Sequence, residues 1–460
     1  MLTRLGARCE ESFKRWLPDP FVFALLLTLL TGAAAIAWVD ASPIEVVSAW
    51  YHGFWTLLEF GMQIVLILTT GYAIALSAPA SHLIDRLATR LTRPGTVYLT
   101  VLFFGGAVVL VSWGWVVLTA VLARELAERI EGVDYPFLVA CTYISSQVWV
   151  TGLSSSIPLL LNTPGNFMIE AGLLSGTIPV SETLGSPLNF TVMATLLLGV
   201  PGLMWLVRPR VAVSGLTDLK RGGADIGAPT VAEEAHELLL STRPPSDRLN
   251  TSVLLQMAVA GMGIAYIVWH FATRGLDLNL NIMIFAFLTL GLVLHRTPLQ
   301  YVVGMRRACS NISGIVFQFP FYAGIMGIMM TTGLGTAIAE ALSSAVSLRM
   351  MPLAAYVLGA VVNFAIPSAG GEWAVVGPPL VETVRGLVGP SELDRHVARV
   401  ALAVAYGESL TNLLQPFFLL TVLPVMGAGT RIQARDVIGY VFVPFVFLFV
   451  VIGLLVTLVP

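Results

Sequence analysis

Residues 363–379 read NFAIPSAGGEWAVVGPP. Long apolar runs flank this stretch, yet it places Pro367, Ser368, Ala369, Gly370, Gly371 and Glu372 in a row. Proline removes a backbone donor and frees a carbonyl, and the glycines leave the main chain unshielded. In hydrocarbon each unpaired N–H or C=O costs several kcal/mol, so such a break survives only where protein, water or a ligand covers it. A helix restarting after the break aims its first N–H groups and its positive dipole end into the gap. The stretch therefore reads as an interrupted membrane helix whose break binds a ligand through the backbone and the Ser368 hydroxyl. The competing reading is that Gly and Pro only loosen packing, as both are common in membrane helices. The carboxylate of Glu372 favours a site.

Composition agrees with a membrane setting. The chain has 460 residues, 56% hydrophobic and 11% charged, against about 25% charged in a soluble domain. Segments long enough for the roughly 20 residues of a bilayer crossing are 20–39, 54–79, 96–123, 136–162, 189–207, 251–271, 280–295, 311–333, 351–384, 398–426 and 437–459. The first is expected to be a retained span rather than a cleaved signal, being too long for one and lacking a small-residue cleavage motif. Polar sequence at about 208–250, including TVAEEAHELLLS, is expected to form a cytoplasmic linker with one short amphipathic helix. It separates a first membrane half, 1–207, from a second, 251–460. The net charge of −2 says nothing about partners, and nothing points to nucleic acid. Cys9, Cys141 and Cys309 match no metal or redox spacing and are expected to be reduced.

The halves echo one another. FVFALLLTLL (21–30) matches IMIFAFLTLG (282–291), and TTG at 69–71 recurs at 331–333. GAVVLVSWGW (106–115) matches GAVVNFAIPSAGGEW (359–373), and CTYISSQVW (141–149) matches AVAYGESLTN (403–412). Four matches in one order, at separations of about 253 to 263 residues, point to an internal repeat.

Basic residues set the orientation. Arg4, Arg8, Lys14 and Arg15 put the N-terminus inside, and 40–53, without Lys or Arg, lies outside. Arg86, Arg90 and Arg93 put the next loop inside, as Arg208, Arg210, Lys220 and Arg221 do the linker. Three apolar segments lie between two inside loops, so one must double back. In the second half Arg296, Arg306 and Arg307 lie inside, 334–350 is read as an outside loop, and Arg431 and Arg435 lie inside. There 351–384 and 398–426 must together make one net crossing, in the opposite sense. The fold class expected is an all-α polytopic membrane protein built from inverted-topology repeats with discontinuous or re-entrant helices.

The remaining polar groups cluster at the breaks. Ser112, Trp113, Gly114 and Trp115 form the first-half equivalent of 367–371. GLSSSIPLLLNTPGN (152–166) carries Ser154, Ser155, Ser156, Asn162 and Thr163, though NTPGN also reads as an ordinary turn. In YGESLTNLLQP (406–416), Glu408, Asn412 and Gln415 share one helix face with Ser409 nearby, either as a site or as a structural hydrogen-bond network. Glu59, Glu170, Glu340 and Glu382 lie near segment ends, whereas Glu372 and Glu408 adjoin the breaks and can carry a proton or hold a cation such as Na⁺. Basic residues stay out of the middle of every span, so a di- or trianion would be poorly neutralised. A monovalent anion travelling with a cation fits better, its short alkyl tail among Trp113, Trp115, Trp149 and Trp373. The substrate carboxylate is expected between 112–115 and 367–371, assisted by Ser154–Ser156 and Asn363. Glu372 or Glu408, with Asn412, would serve the coupling ion.

Several stretches also resemble a known family. RWLPDPFVFALLLTLLT, GFWTLLEFGMQIVLILTTGYAIALSAP, DYPFLVACTYI, PLLLNTPGN, FQFPFYAGI, NFAIPSAGGEW and AYGESLTNLLQPFF look like the short-chain fatty acid transporter family, in order from about Trp16 onward. Ala369 and Glu372 stand where that family's pattern has a third glycine and often a histidine. The resemblance implies uptake of monocarboxylates such as acetate, butyrate or acetoacetate across a bacterial inner membrane, driven by an H⁺ or Na⁺ gradient with no cofactor. Through the ion transporter superfamily it implies a homodimer with helical hairpins and elevator motion. A membrane-embedded acyl enzyme is the rival, but His52, His82, His236, His270, His295 and His396 are scattered and form no HExxH or CxxC set. A passive anion channel is the other.

Overall fold

The computed structural model describes residues 20–459 apart from 90, 92, 210–213, 221–229, 240–243, 310–311, 365 and 420. The basic N-terminal residues and Cys9 lie outside the described residues. Among those described, the chain is helical, and the only β pairing is an isolated bridge between Lys220 and Thr430. Among the described residues six helices are long and apolar enough to cross a bilayer, or seven if one bent pair is a single span. The protein is an all-α polytopic membrane protein.

The first half contains α1 (Pro20–Val39), α2 (Pro43–Gly53), α3 (Leu58–Ala75), α4 (Ala78–Ala88), α5 (Pro94–Val111), α6 (Val116–Arg129), α7 (Tyr135–Ser145), α8 (Ser156–Leu161) and α9 (Pro187–Val207). After the linker come α10 (Val253–Arg274), α11 (Leu280–His295), α12 (Pro298–Cys309), α13 (Ser313–Thr332), α14 (Leu334–Ala345), α15 (Met351–Val362), α16 (Ala369–Leu387), α17 (Leu393–Asn412) and α18 (Ala434–Leu458). Side chains satisfy the exposed N–H groups where helices begin: Asp134 caps α7, Ser186 caps α9, Ser252 caps α10, Asn279 caps α11 and Ser368 caps α16.

The segments read as loops at 40–53 and 334–350 are largely helical, as α2 and α14. Both are short, and α14 joins α13 through an 80° bend at Gly333, whose φ of +78° suits a residue without Cβ. Among its described residues the linker holds three short helices rather than one, at Leu216–Leu219, Val231–Glu237 and Pro245–Asn250. It is pinned to both halves: Lys220 pairs with Glu128 (3.7 Å), and Arg307 with Glu234.

Packing reveals the repeat. α1 and α2 pack on α13 of the second half, and α11 and α12 pack on α3 of the first. α5 lies along α7 as α15 lies along α17, and α6 meets α4 as α16 meets α14. Among the described residues α10 has no counterpart in the first half, and the matched packing begins at α11.

The doubled-back segments can now be named. α5 and α6 form a hairpin, because the chain returns to its starting level: the Asp134 N–H donates to the Tyr98 hydroxyl (2.7 Å) and Gly132 lies beside Pro94. That level is the linker's, since the Tyr135 N–H donates to Ser214 O (2.9 Å). α15 and α16 form the equivalent hairpin from the other face. Arg399, early in α17, donates to Val456 O and Thr457 O at the far end of α18, whereas the linker meets Thr430 and Arg431 just before α18 begins. α7 and α17 thus start at opposite faces, which is an inverted repeat.

Candidate functional site

α7 and α17 end against each other in the interior. The Tyr143 hydroxyl donates to Asn412 O and to Gln415 O (3.3 Å), and the Ser409 hydroxyl donates to Gln147 Oε1 (3.0 Å). The Tyr406 hydroxyl reaches Asn189 Oδ1 (2.8 Å), whose amide in turn donates to Thr151 O (3.0 Å). Beyond Ser145 the α7 strand of this pair tightens to a 3₁₀ turn at Ser146–Thr151, and α17 unwinds after Asn412.

Asn363, where α15 stops, organises the second-half side of this junction. Its Nδ2 faces Glu408 O (2.9 Å), Thr411 Oγ1 (2.8 Å) and Asn412 Oδ1 (2.6 Å), while Gln415 Nε2 donates to Asn363 O (3.0 Å). Asn412 Nδ2 donates to Glu408 Oε1 (3.4 Å). Close backbone approach brings these helices together: a Cβ on Gly407 would lie 2.0 Å from Tyr356 O, and one on Gly359 would lie 2.6 Å from Val404 O and 3.2 Å from Glu372 Oε1. Both oxygens of Glu372, Oε2 of Glu408 and Oδ1 of Asn363 are buried without a hydrogen-bond partner. The two carboxylates lie within Coulombic range of each other. Buried uncompensated acids are costly, and such orphaned acceptors are where a proton or a small cation would be held. Among the described residues no group of three or more His, Cys, Asp and Glu could hold a metal, so a cation here would rely on these two carboxylates and amide oxygens.

The 367–371 break lies beside this network. Ser368 Oγ accepts from the Gly371 N–H (3.4 Å), and Ser368 O accepts from the Glu372 N–H (2.7 Å). The first N–H groups of α16, at Ala369 and Gly370, have no intrahelical acceptor. Pro367 and Ser368 are half-buried, and a Cβ on Gly370 would lie 2.8 Å from the Phe60 ring, with Phe319 at 3.4 Å. An anion-favouring helix start therefore faces an aromatic wall. Trp373 is wholly buried with its indole N–H unpartnered, and its ring packs against Gly377.

The 112–115 break is closed within its own half. The Trp113 N–H donates to Ser154 Oγ (2.8 Å), the Leu153 N–H to Leu110 O (2.7 Å) and the Trp115 indole to Gly71 O (2.9 Å). Ser112 Oγ alone is buried and unpartnered. Gly114 rests on Tyr72 near one end of α3, whereas Gly370 rests on Phe60 near the other, about 18 Å apart at 1.5 Å per residue. The two breaks face opposite ends of α3 rather than each other. Ser155 and Ser156 are buried at the start of α8. Asn162 and Thr163 serve elsewhere: Asn162 donates to Asp277 Oδ1 (3.1 Å) and Leu278 O (2.6 Å), and Thr163 Oγ1 accepts from the Leu280 N–H (3.1 Å), which locks the halves together at the turn before α11.

Glu372, Glu408, Ser409, Asn412, Gln415 and Asn363 converge. Gln147, Tyr143, Thr411 and Phe60 join them without having been singled out by sequence. Gln147 lay in the repeated CTYISSQVW, where its position beside the break was the available signal.

A family profile described as short chain fatty acid transporter matches residues 1–459. Two relatives provisionally named short-chain fatty acid transporters come from Escherichia coli K12 and Haemophilus influenzae. The first is 37% identical over 96% of each chain, the second 32% identical over 97% of each. Among solved structures, the YdaH transporter of Alcanivorax borkumensis superposes with a TM-score of 0.57 at 17% identity, over 96% of this chain and 98% of that one. MtrF of Neisseria gonorrhoeae, from a class of antimetabolite efflux pumps, superposes with a TM-score of 0.53 at 13% identity, over 96% and 95%. At these identities the likeness is one of fold.

Proposed function

The chain belongs to the short-chain fatty acid transporter family and is a transporter, not an enzyme; from that premise we propose that it carries short monocarboxylates together with a cation. The observation that carries this reading is the junction of α15, α16 and α17, where an anion-favouring helix start adjoins two buried acids, with both oxygens of Glu372 and one of Glu408 left without a hydrogen-bond partner. The substrate carboxylate sits at Ser368, Ala369 and Gly370, and its short tail lies against Phe60 and Phe319. Glu372 and Glu408, with Asn363 and Asn412, take the coupling proton or Na⁺. Cation and anion then neutralise one another in transit, which lowers the cost of moving either through a low-dielectric interior. The linker face is cytoplasmic by its basic residues, the membrane is the bacterial inner membrane, and the protein works as a homodimer whose substrate-bearing helices move as a body against α3 and α13.

The test is uptake of labelled acetate, butyrate and acetoacetate into proteoliposomes, with proton and sodium gradients imposed separately. One gradient should drive accumulation, and unlabelled substrate on the far side should accelerate exchange. Flux without that acceleration would indicate a channel instead.

A further inference from the structure

The junction leaves a second polar recess unexplained, at the face opposite the linker. Ser181, Glu182, Ser186, Arg395, Arg399 and Leu402 border an open hollow of about 240 Å³. Arg399 gives its Nη2 to Val456 O (3.1 Å) and Thr457 O (3.2 Å), and its Nε–H is buried with no acceptor. Arg395, one turn earlier on the same helix face, is exposed and within Coulombic range of Arg399. Glu182 is the acid among these bordering residues, and among the described residues neither guanidinium forms an ion pair with it or with any other carboxylate. The Ser186 oxygen already accepts from the Asn189 N–H (3.2 Å), which leaves its O–H to donate.

Two adjacent guanidiniums without a counter-ion repel each other, and an oxyanion between them removes that repulsion. The planar fork of arginine also fits a carboxylate better than a point charge does. We propose that this recess is an antechamber that captures the transported carboxylate from the side opposite the linker. α17 connects it to the junction, with Arg395 and Glu408 about 20 Å apart along the helix. Basic groups at a cavity mouth raise the local concentration of an anion and speed its arrival. The proposal rests on the reading of the chain as a monocarboxylate carrier.

Labelled butyrate uptake is measured for wild type, Arg395→Gln and Arg395→Lys in vesicles of phosphatidylcholine alone. Arg395→Gln should raise KM about three- to fivefold with kcat near that of wild type, and Arg395→Lys should recover most of the loss. The wild-type KM should climb with ionic strength, and that of Arg395→Gln should climb less. An unchanged KM in active Arg395→Gln protein overturns the proposal. So does an effect that appears only after phosphatidylglycerol is added, since that assigns the recess to a lipid headgroup. If wild type takes up no acetate, butyrate or acetoacetate, the carrier reading itself fails, and that result is seen before any variant is compared.

Discussion

Replacing Glu372 with glutamine keeps the shape of the side chain and removes its charge. Glu372 has no exposed surface, neither of its oxygens has a partner, and Glu408 lies within Coulombic range. An unpaired buried ion costs several kcal/mol even after the surroundings relax, so this side chain is tolerated because a proton or a cation neutralises it. Glutamine needs no neutralisation, and the thermal midpoint of Glu372→Gln should equal or exceed that of wild type. Transport should respond differently. With one coupling ion per substrate, a tenfold ion gradient is worth about 1.4 kcal/mol and sustains about tenfold accumulation. Glu372→Gln should fall to a ratio near one while still exchanging labelled for unlabelled butyrate. The assay is the steady-state ratio of labelled butyrate across proteoliposomes under a fixed gradient. Tenfold accumulation by the folded variant would refute Glu372 as part of the coupling site.

Three further outcomes are expected. Glu408→Gln retains an acceptor for Asn412, so it should fold normally yet lose gradient-driven uptake; wild-type uptake would remove Glu408 from the mechanism. Gly370→Val places new carbon 2.8 Å from the Phe60 ring and should lower butyrate uptake at least about tenfold by overpacking the pocket, whereas undiminished uptake would reduce 367–371 to a kink. Gly407→Ala would set its Cβ 2.0 Å from Tyr356 O and force α15 from α17, at a cost of about 1–3 kcal/mol or more; a thermal midpoint equal to wild type would show that the seam yields freely.

The breaks were legible because Gly, Pro and Ser interrupt apolar periodicity in a way that hydrocarbon penalises. The charge parity was legible too: it required one doubled-back segment in each half, and the α5–α6 and α15–α16 hairpins supply them. Periodicity could not say which segment turned back, because the first arm of each hairpin, α5 or α15, is as apolar as a span. The helices α2 and α14 escaped notice because they are only 11 and 12 residues long, too short to cross. The sequence match of 106–115 with 359–373 paired the breaks correctly as repeat mates, but mates in an inverted repeat need not touch. Asn162 and Thr163 are a related case. Their polar atoms bind the chain at 277–280, a partner distant in sequence, so nothing local separates that role from ligand binding.

The point where mates do touch locates the axis. CTYISSQVW and AVAYGESLTN place Gln147 and Ser409 at equivalent positions, 262 residues apart, and these two side chains share a hydrogen bond of 3.0 Å. Equivalent residues in contact must lie on or beside the pseudo-two-fold axis that relates the copies. The same alignment sets Ser146 opposite Glu408, so the acid belongs to one copy only. The copies also differ in their breaks: the first ties its backbone down through Ser154 and Leu153 and leaves only the Ser112 hydroxyl unpartnered, while the second leaves carboxylate and amide oxygens unpartnered. Inverted repeats permit alternating access because the halves can exchange conformations around a fixed midpoint. A residue at that midpoint keeps its neighbours while the flanking helices rearrange, which is where a coupling ion can be held in both states. Glu408 is next to Ser409 in the chain, and its carboxylate reaches Asn412, one turn further along α17. On the proposed coupling role of Glu408, the asymmetry of the copies would give one acidic ion site at the axis rather than two related by it.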